Sequence, residues 1–341
     1  MGIDVGTTTT QLIVSKLKVE NRGSLFSVPE MVIGDRQVCY RSPVFFTPLL
    51  GRDRVDGEHI RQIVAAEYKK AGLKREQVDT GAVIVTGETS RKENARAVLE
   101  ALSGLAGDFV VATAGPDLES VLAAKGAGAV AYSEKNGKAV LHMDIGGGTS
   151  NLAWIENGKI VKTGCMNVGG RLLKFDEHGR VTYVSPVLAG LCDLQVGDGA
   201  DPETVKALAR KLVQGLEMAA GLRQSTQLLE KLWTRECGSA MDGMLLGNWV
   251  ISFSGGVADC IQTDRAWLEY GDMGPILGQT IRESQLCCGE YRLGTETIRA
   301  TVIGAGCHST QLSGSTVFHR NVEFPLKNLT VVTRISDLEK L

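Results

Sequence analysis

The stretch Gly2-Ile3-Asp4-Val5-Gly6-Thr7-Thr8-Thr9-Thr10 opens the chain, and a second version of it is His142-Met143-Asp144-Ile145-Gly146-Gly147-Gly148-Thr149-Ser150. Each version reads as a short apolar strand, an Asp, one apolar residue, a Gly and a run of small residues. A second apolar strand follows each run, at Gln11–Val14 and at Asn151–Ile155. This pattern predicts two β-hairpins, each with a tight turn rich in Gly and Thr.

The composition of these turns points to phosphate. Backbone N–H groups of a Gly-rich turn can surround an anion, because glycine adopts the required dihedral angles and allows close approach. An Asp directly before the turn would repel phosphate unless a cation lay between them. Two such hairpins therefore predict two facing half-sites that hold a nucleoside triphosphate and its Mg²⁺. A single hairpin of this kind is commonly only a turn in a packed sheet, and the repeat favours the phosphate interpretation.

Length and charge restrict the class of protein. The 341 residues suffice for two domains with full cores. A net charge of −2 gives no basis for bulk nucleic-acid binding. The sequence shows neither a signal-peptide pattern nor an apolar run of the ~20 residues that span a membrane. We therefore expect a cytoplasmic protein that binds neither nucleic acid nor membrane. The first strand is short before Asp4, which predicts that a few N-terminal residues are missing.

The eight cysteines are scattered, and no C-x-x-C occurs among them. This usage fits reduced thiols in a cytosol. The vicinal pair Cys287-Cys288 has two interpretations, as incidental thiols or as redox or cluster ligands. The five histidines show no ligand spacing, so we expect no zinc site.

Periodicity predicts an alternation of strands and helices. Apolar spacing predicts a helix over residues 59–68 that ends at Gly72. Residues 31–33 and 37–40 read as two strands joined by a turn at Gly34-Asp35. Further strands are predicted at 82–86, 109–112 and 249–253, and further helices at 92–105 and from Asp201 to about Leu222.

Two Gly-Ala-Gly runs, at residues 126–128 and 304–306, each follow a helical pattern. Small residues allow two helices to approach backbone to backbone. The runs therefore predict a pair of crossing helices between two lobes.

Taken together, these segments resemble the ATPase fold shared by actin, hexokinase and the large heat-shock chaperones. In the order of that superfamily they resemble its first phosphate loop (2–10), first connecting helix (118–128), second phosphate loop (144–149), adenosine motif (252–258) and second connecting helix (300–306). The resemblance implies an α/β protein of two actin-like lobes, each a mixed sheet flanked by helices, with nucleotide in the cleft. We expect residues 1–135 with 300–341 to form the first lobe and 136–299 the second.

Within that superfamily, Gly2–Leu12, Val85–Ala95 and Asp144–Ala153 resemble the reactivating factors of ethanolamine ammonia-lyase. The resemblance runs through most of the chain. It implies a chaperone-like ATPase that uses ATP to release damaged cobalamin from the inactivated lyase, so that intact adenosylcobalamin can enter. The lyase is then the expected partner. The chain lacks the cobalamin-binding pattern D-x-H-x-x-G, and association with a bacterial microcompartment is left open.

The expected site residues fall into three groups. Asp4 and Asp144 should hold Mg²⁺ through its water shell. Donors to the phosphates and to the adenosine side are expected from two sets of turn residues. These are Gly6, Thr7, Thr8, Thr9, Gly146, Gly147, Gly148 and Thr149 for the phosphates, and Gly255 and Gly256 for the adenosine side.

Two glutamates are candidates for orienting the attacking water. Glu119 falls where the superfamily's first connecting helix often carries such an acid, and the alternative is a solvated helix charge. Glu88 follows a predicted parallel strand at its carboxyl end, where α/β sites gather. The alternative for Glu88 is a structural pair with Arg91 or Lys92.

Other functions stay open. A sugar or carboxylate kinase of the same fold would need an Asp general base facing the γ-phosphate. An iron–sulfur activator ATPase would need cluster ligands, which a homodimer can supply as Cys287 or Cys288 from each chain. A filament-forming actin relative is a further alternative.

Overall fold

A computed structural model describes residues 1–6, 9–21, 31–50, 54–79, 81–86, 109–234 and 249–308. Its first sheet is mixed, with strand order β3-β2-β1-β7-β8, and β4 pairs with β2. A small hairpin is formed by β5 and β6. These strands are β1 (Gly2–Val5), β2 (Thr9–Asn21), β3 (Met31–Arg41), β4 (Phe45–Phe46), β5 (Leu49–Leu50), β6 (Arg54–Val55), β7 (Gly81–Val85) and β8 (Phe109–Thr113).

The second sheet is also mixed, with strand order β11-β10-β9-β14-β15. A separate two-stranded sheet is formed by β12 and β13. The strands are β9 (Ala139–Ile145), β10 (Ser150–Glu156), β11 (Lys159–Met166), β12 (Leu173–Phe175), β13 (Val181–Val184), β14 (Trp249–Ser254) and β15 (Tyr291–Leu293).

The two large sheets have the same topology. In the first sheet, β1 pairs antiparallel with β2 and parallel with β7. In the second sheet, β9 pairs antiparallel with β10 and parallel with β14. The register is also the same, because Asp4 lies opposite Gln11 and Asp144 lies opposite Asn151. The duplication inferred from the two turns is therefore a duplication of whole sheets. This pair of mixed sheets is the α/β arrangement expected for a two-lobed, actin-like fold.

Helices cover the sheets on both faces. They are α1 (Gly57–Lys70), α2 (Pro116–Gly126), α3 (Ala129–Asn136), α4 (Pro202–Ala219), α5 (Gln227–Leu232), α6 (Asp259–Gln262), α7 (Gly274–Arg282) and α8 (Ala300–His308). Short 3₁₀ helices occur at Arg75–Gln77, Pro186–Leu188 and Gln285–Cys287. None of the described helices has the length and apolar character needed to cross a bilayer.

In the first sheet, alternate side chains of β1 point to opposite faces. Ile3 and Val5 pack with Ile60 of α1. On the other face, Ile13 of β2 packs with Val302 of α8. A helix from the end of the described chain therefore completes the core of the sheet that begins it.

In the second sheet, the larger core lies on the face covered by α4 and α7. Leu141 and Met143 of β9 pack there with Leu212 of α4 and Leu277 of α7. Asp201 caps α4, since its Oδ1 accepts hydrogen bonds from the N–H groups of Glu203 and Thr204. The opposite face is covered by α2 and α3.

The helices α2 and α8 cross between the two sheets, and glycine makes the close approach possible. A Cβ on Gly126 would overlap the backbone of Ala300, and a Cβ on Gly304 would overlap the backbone of Leu122. The predicted crossing of two small-residue helices is thus present. The last glycine of each run lies outside it: Gly128 starts α3 in a left-handed conformation with φ of 80°, and Gly306 lies against the backbone of residues 1 and 2.

The interpretation of Gly34-Asp35 as a turn is wrong. The strand β3 runs without interruption from Met31 to Arg41, and a register shift between Lys18 and Val19 of β2 absorbs an extra residue. This is a β-bulge, which accommodates Gly34 without ending the strand. The predicted helix over 92–105 lies outside the described residues. The lobe boundaries, 1–135 with 300–341 and 136–299, stay a prediction.

Candidate functional site

The two turns that follow Asp4 and Asp144 are here called the acid-bearing turns. They face one cavity of about 290 Å³ between the sheets. Every predicted site residue that the structure describes lines this cavity, here called the cleft. These residues are Asp4, Gly6, Thr9, Glu119, Asp144, Gly146, Gly147, Gly148, Thr149, Gly255 and Gly256. The other three, Thr7, Thr8 and Glu88, lie outside the described residues.

Both turns close in the same way. The N–H of Gly6 donates to the carbonyl oxygen of Thr9 over 2.9 Å, and the N–H of Gly146 donates to that of Thr149 over 2.9 Å. Each turn follows a strand whose penultimate residue is the Asp. The hairpin therefore delivers one carboxylate and one short, small-residue turn from each lobe to the cleft.

Asp4 is held by a side chain that the sequence did not reveal. The hydroxyl of Thr86, the residue directly after β7, donates to Asp4 Oδ1 over 2.9 Å. The pKa of Asp4 is raised to about 7, mainly by burial and in part by the negative charge of Asp144, against the opposing effect of hydrogen bonds from Thr86 and Gln11. An unpaired buried carboxylate is unfavourable, so this site would be stabilised by a cation.

Asp144 is held by the end of β14. The hydroxyl of Ser254 donates to Asp144 Oδ1, and Ser254 also bonds His142 Nε2 over 3.0 Å. Burial raises the pKa of Asp144 to about 6, opposed by the hydrogen bonds of Ser254 and Thr301. Burial also lowers the pKa of His142 to about 3, so the imidazole is neutral. The Asp144 carboxylate is therefore held by Ser254, which is itself hydrogen-bonded to the buried His142 ring.

Two carboxamides line the cleft with the two carboxylates. Gln11 Nε2 donates to the Ile298 carbonyl oxygen over 2.8 Å, and Asn151 Nδ2 donates to Glu119 Oε2 over 3.3 Å. Gln11 Oε1 and Asn151 Oδ1 are buried and have no hydrogen-bond partner among the described residues. Both residues lie seven positions after an Asp of the repeat, which is the signal that would have found them.

The two carboxylates and two carboxamides fit a hydrated magnesium ion. They belong to Asp4, Gln11, Asp144 and Asn151. Mg²⁺ prefers oxygen ligands and keeps several of its waters, and unpaired buried oxygens need donors such as those waters. Within the described ranges, no three His, Cys, Asp or Glu side chains are grouped so as to hold a metal directly. The expectation that Asp4 and Asp144 hold Mg²⁺ through its water shell stays a prediction.

Glu119 lies on α2 and reaches the cleft from the crossing helices. Its side chain is buried, at 7% exposure, so it is not a solvated helix charge. The bond from Asn151 places it beside the second half-site. Its role in orienting water stays a prediction.

Gly255 lies where a side chain has no room. Its φ is 87°, and a Cβ would overlap the carbonyl group of Ile145 at the end of β9. The N–H of Val257 donates to that same carbonyl oxygen over 3.2 Å. The adenosine-motif turn is therefore attached directly to the second acid-bearing strand.

The vicinal cysteines lie away from the cleft lining. Cys287 ends the 3₁₀ helix Gln285–Cys287 and is partly buried, whereas Cys288 is exposed. Burial raises the pKa of Cys287 to about 12, so this residue is a protonated thiol. A thiol in that state is a poor metal ligand.

Comparison with known proteins extends over nearly the whole chain. Residues 1–340 match the family described as "Ethanolamine utilisation protein EutA". A protein of Salmonella typhimurium named ethanolamine ammonia-lyase reactivase EutA is 38% identical over 349 residues, which cover 99% of this chain and 73% of the relative. The protein of the same name from Escherichia coli is 40% identical over 345 residues, with the same coverage.

Solved structures overlap more weakly. The ethanolamine utilization protein EutJ from Carboxydothermus hydrogenoformans is 18% identical, with a TM-score of 0.39 over 89% of this chain and 87% of its own. A Ppx/GppA family member from Aquifex aeolicus is 16% identical, with a TM-score of 0.44 over 79% of this chain and 68% of its own. On the match over residues 1–340 and the identity to two full-length relatives, the chain belongs to the EutA family of ethanolamine utilisation proteins.

Proposed function

We propose that the protein is an ATP-dependent, chaperone-like reactivating factor for ethanolamine ammonia-lyase. It would release damaged cobalamin from the inactivated lyase so that intact adenosylcobalamin can bind, in the cytoplasm or within a bacterial microcompartment. The observation that carries the proposal is the pair of acid-bearing turns facing one cleft. The proposal is supported by the names of the two relatives, both called reactivases of this lyase.

In this proposal the cleft binds Mg·ATP. The turns that begin at Gly6 and Gly146 would donate backbone N–H groups to the β- and γ-phosphates. Asp4 and Asp144 would hold Mg²⁺ through water, with Gln11 and Asn151 accepting from the same waters. Bound Mg²⁺ would neutralise phosphate charge during transfer to water.

The remaining predicted residues have distinct tasks. The turn at Gly255 and Gly256 would face the adenosine side, where its backbone already lies against β9. Glu119 would orient the attacking water from α2, because its carboxylate is buried beside Asn151. Glu88 is the second candidate for that task, as the sequence suggested.

Lobe movement would transmit the nucleotide state to the lyase. The crossing of α2 and α8 brings backbone against backbone at Gly126 and Gly304, which allows the lobes to pivot without displacing large side chains. A partner that reads the lobe angle must change nucleotide affinity by the same factor that nucleotide changes partner affinity.

The kinase alternative lacks a base in the described part of the cleft. Its two further Asp residues are already engaged: Asp259 accepts a hydrogen bond from Thr297, and Asp272 is paired with Arg171 over 3.1 Å. The iron–sulfur alternative would draw on Cys287 and Cys288, which lie outside the lining of the nucleotide cleft.

The proposal is tested by reactivation. Ethanolamine ammonia-lyase inactivated with cyanocobalamin is mixed with the protein, ATP, Mg²⁺ and fresh adenosylcobalamin, and deamination is measured. We expect recovery only when ATP and Mg²⁺ are both present. A non-hydrolysable ATP analogue should bind to the protein but should not support repeated rounds of lyase reactivation.

Two results would contradict the proposal. Recovery that is equal with and without ATP would remove the ATPase step. ATP consumption that yields a phosphorylated small molecule, with no recovery of the lyase, would favour the kinase.

A further inference from the structure

Arg171 stands out in the cleft by its charge. The described lining contains five acidic side chains and, among those same residues, one basic side chain, that of Arg171. A nucleoside triphosphate brings several negative charges into this acidic environment. Mg²⁺ near Asp4 and Asp144 would offset part of that charge, and a fixed cation near the phosphates would offset more.

The backbone of Arg171 is attached to the second turn. It lies in the loop between β11 and β12, where the N–H of Gly170 donates to the Gly146 carbonyl oxygen over 3.0 Å. The N–H of Arg171 itself donates to the Gly147 carbonyl oxygen over 2.6 Å. The position of Arg171 is therefore set by the same turn that would surround a phosphate.

A buried carboxylate orients the side chain. Arg171 Nε donates to Asp272 Oδ2 over 3.1 Å, and the Asp272 side chain is only 8% exposed. Asp272 is itself held, since its Oδ1 accepts from the N–H of Gly274 over 2.8 Å. Only the Nε edge of the guanidinium is used by this pair. In the described structure the Nη groups have no protein acceptor, and they are suited to a ligand with several anionic oxygens.

The guanidinium also lies next to the first lobe. Its central carbon is 5.5 Å from the centroid of the Phe46 ring. Phe46 belongs to β4 and lies opposite Thr9, the residue that closes the first turn. The backbone of Arg171 is therefore bonded to the second acid-bearing turn, and its side chain lies near the first.

We propose that Arg171 is a nucleotide-specificity residue, whose Nη groups bind the terminal phosphate and so distinguish ATP from ADP. The inference rests on the proposed function, because it needs a nucleotide in this cleft. Asp272 is the positioning residue that holds the guanidinium in place. A guanidinium can bind two phosphate oxygens at once, which a lysine ammonium does less well.

The test compares a non-hydrolysable ATP analogue with ADP by calorimetry in the presence of Mg²⁺. Arg171→Met should weaken binding of the analogue about tenfold or more, and that of ADP by less than about threefold. Arg171→Lys should give an intermediate loss for the analogue. Arg210→Met is the matched control, since Arg210 is an exposed arginine of α4 outside the cleft lining, and it should leave both affinities as in the parent.

The outcomes separate the two proposals. If the parent binds neither nucleotide, the proposed function fails and this inference with it. If the parent binds both and Arg171→Met changes neither affinity, or weakens both equally, the proposed function stands and the specificity role is overturned. Thermal unfolding of each variant shows whether it is folded, and Arg171→Lys replaces Arg171→Met in the test if the latter does not fold.

Discussion

The two acid-bearing turns share one backbone design and differ in what supports them. In the first turn, the Gly6 carbonyl oxygen accepts a hydrogen bond from the side chain of Thr47. In the second, the carbonyl oxygens of Gly146 and Gly147 accept from backbone N–H groups of the loop before β12. The duplicated sheets thus kept their register while each half-site acquired different neighbours.

The carboxylates show the same contrast. Asp4 is bonded by one hydroxyl, that of Thr86. Asp144 is bonded by Ser254, which is bonded in turn by His142. The second half-site is therefore supported by a deeper polar network, and equivalent substitutions in the two lobes should have unequal effects.

The largest effect is expected where the lobes meet. Gly126→Val places a side chain into the backbone of Ala300, and it should lower the free energy of unfolding by about 3 kcal/mol or more. Gly115→Val is the matched control at the residue directly before the same helix, because nothing lies within 4 Å of its added Cβ. Urea unfolding of both variants measures the difference. Equal stabilities would contradict the assignment of Gly126 to the crossing.

Next in size is the loss of either acid. Asp4→Asn and Asp144→Asn each remove a charge directed at the magnesium waters, and we expect the Mg²⁺-dependent part of ATP affinity to fall by about 10–100-fold. Binding measured without Mg²⁺ should change much less. If both variants bind and hydrolyse Mg·ATP like the parent, the metal role of these residues is wrong.

A smaller effect on stability should distinguish the hydrogen bonds that hold Asp144 from the one that holds Asp4. Ser254→Ala removes one hydrogen-bond partner from Asp144, which keeps Thr301, and one from His142, which keeps Ser252. It should lower the free energy of unfolding by about 1–3 kcal/mol. Thr86→Val affects Asp4 alone and should lower it by about 1 kcal/mol. Denaturant midpoints of the two variants give the comparison. A larger loss of unfolding free energy for Thr86→Val than for Ser254→Ala would show that the Asp4 half-site has the stronger support.

The pH dependence of the metal-free protein tests both half-sites together. Burial raises the pKa of Asp4 to about 7 and that of Asp144 to about 6, above the ordinary 3.8. Below these values the folded protein holds protons that the unfolded chain has released. The free energy of unfolding should therefore fall as pH rises from about 4 to about 7.

Binding of Mg²⁺ should show the opposite trend, because the metal needs the deprotonated carboxylates. The affinity for Mg·ATP should decrease as pH is lowered through about 7 and about 6. Calorimetry across this range measures it, and Asp4→Asn should flatten the upper part of the curve. An affinity independent of pH would contradict the burial of these acids.

The turns could be predicted from the sequence because their chemistry is local. An Asp, a Gly and a run of small residues determine a tight turn and its charge within a few positions. The cap of α4 is local in the same sense, since Asp201 is followed directly by Pro202.

The supports of the acids could not be predicted, because they come from distant strands. Thr86 and Asp4 are 82 positions apart, and Ser254 and Asp144 are 110 apart. Only the parallel pairing of β7 with β1 and of β14 with β9 brings them together.

The helix crossing was predicted in kind but not in detail. Small residues indicate that two helices can approach, yet the end of α2 decides which glycine takes part. The helix ends at Gly126, so Gly128 turns away from the contact. At Arg171 the sequence offered only an isolated charge, and its importance depends on Asp272, which is 101 positions away.

The packing of α8 on the first sheet has a consequence for biosynthesis. Residues Val302 and Ala305 fill the face of β1, β2 and β7 that lies opposite α1. The first sheet is complete at Thr113, yet this helix begins only at Ala300, which is about 190 residues and roughly 10–40 s later at typical synthesis rates. During that interval the first sheet has one uncovered apolar face. The first lobe can therefore complete its core only after Val302 and Ala305 have been synthesised.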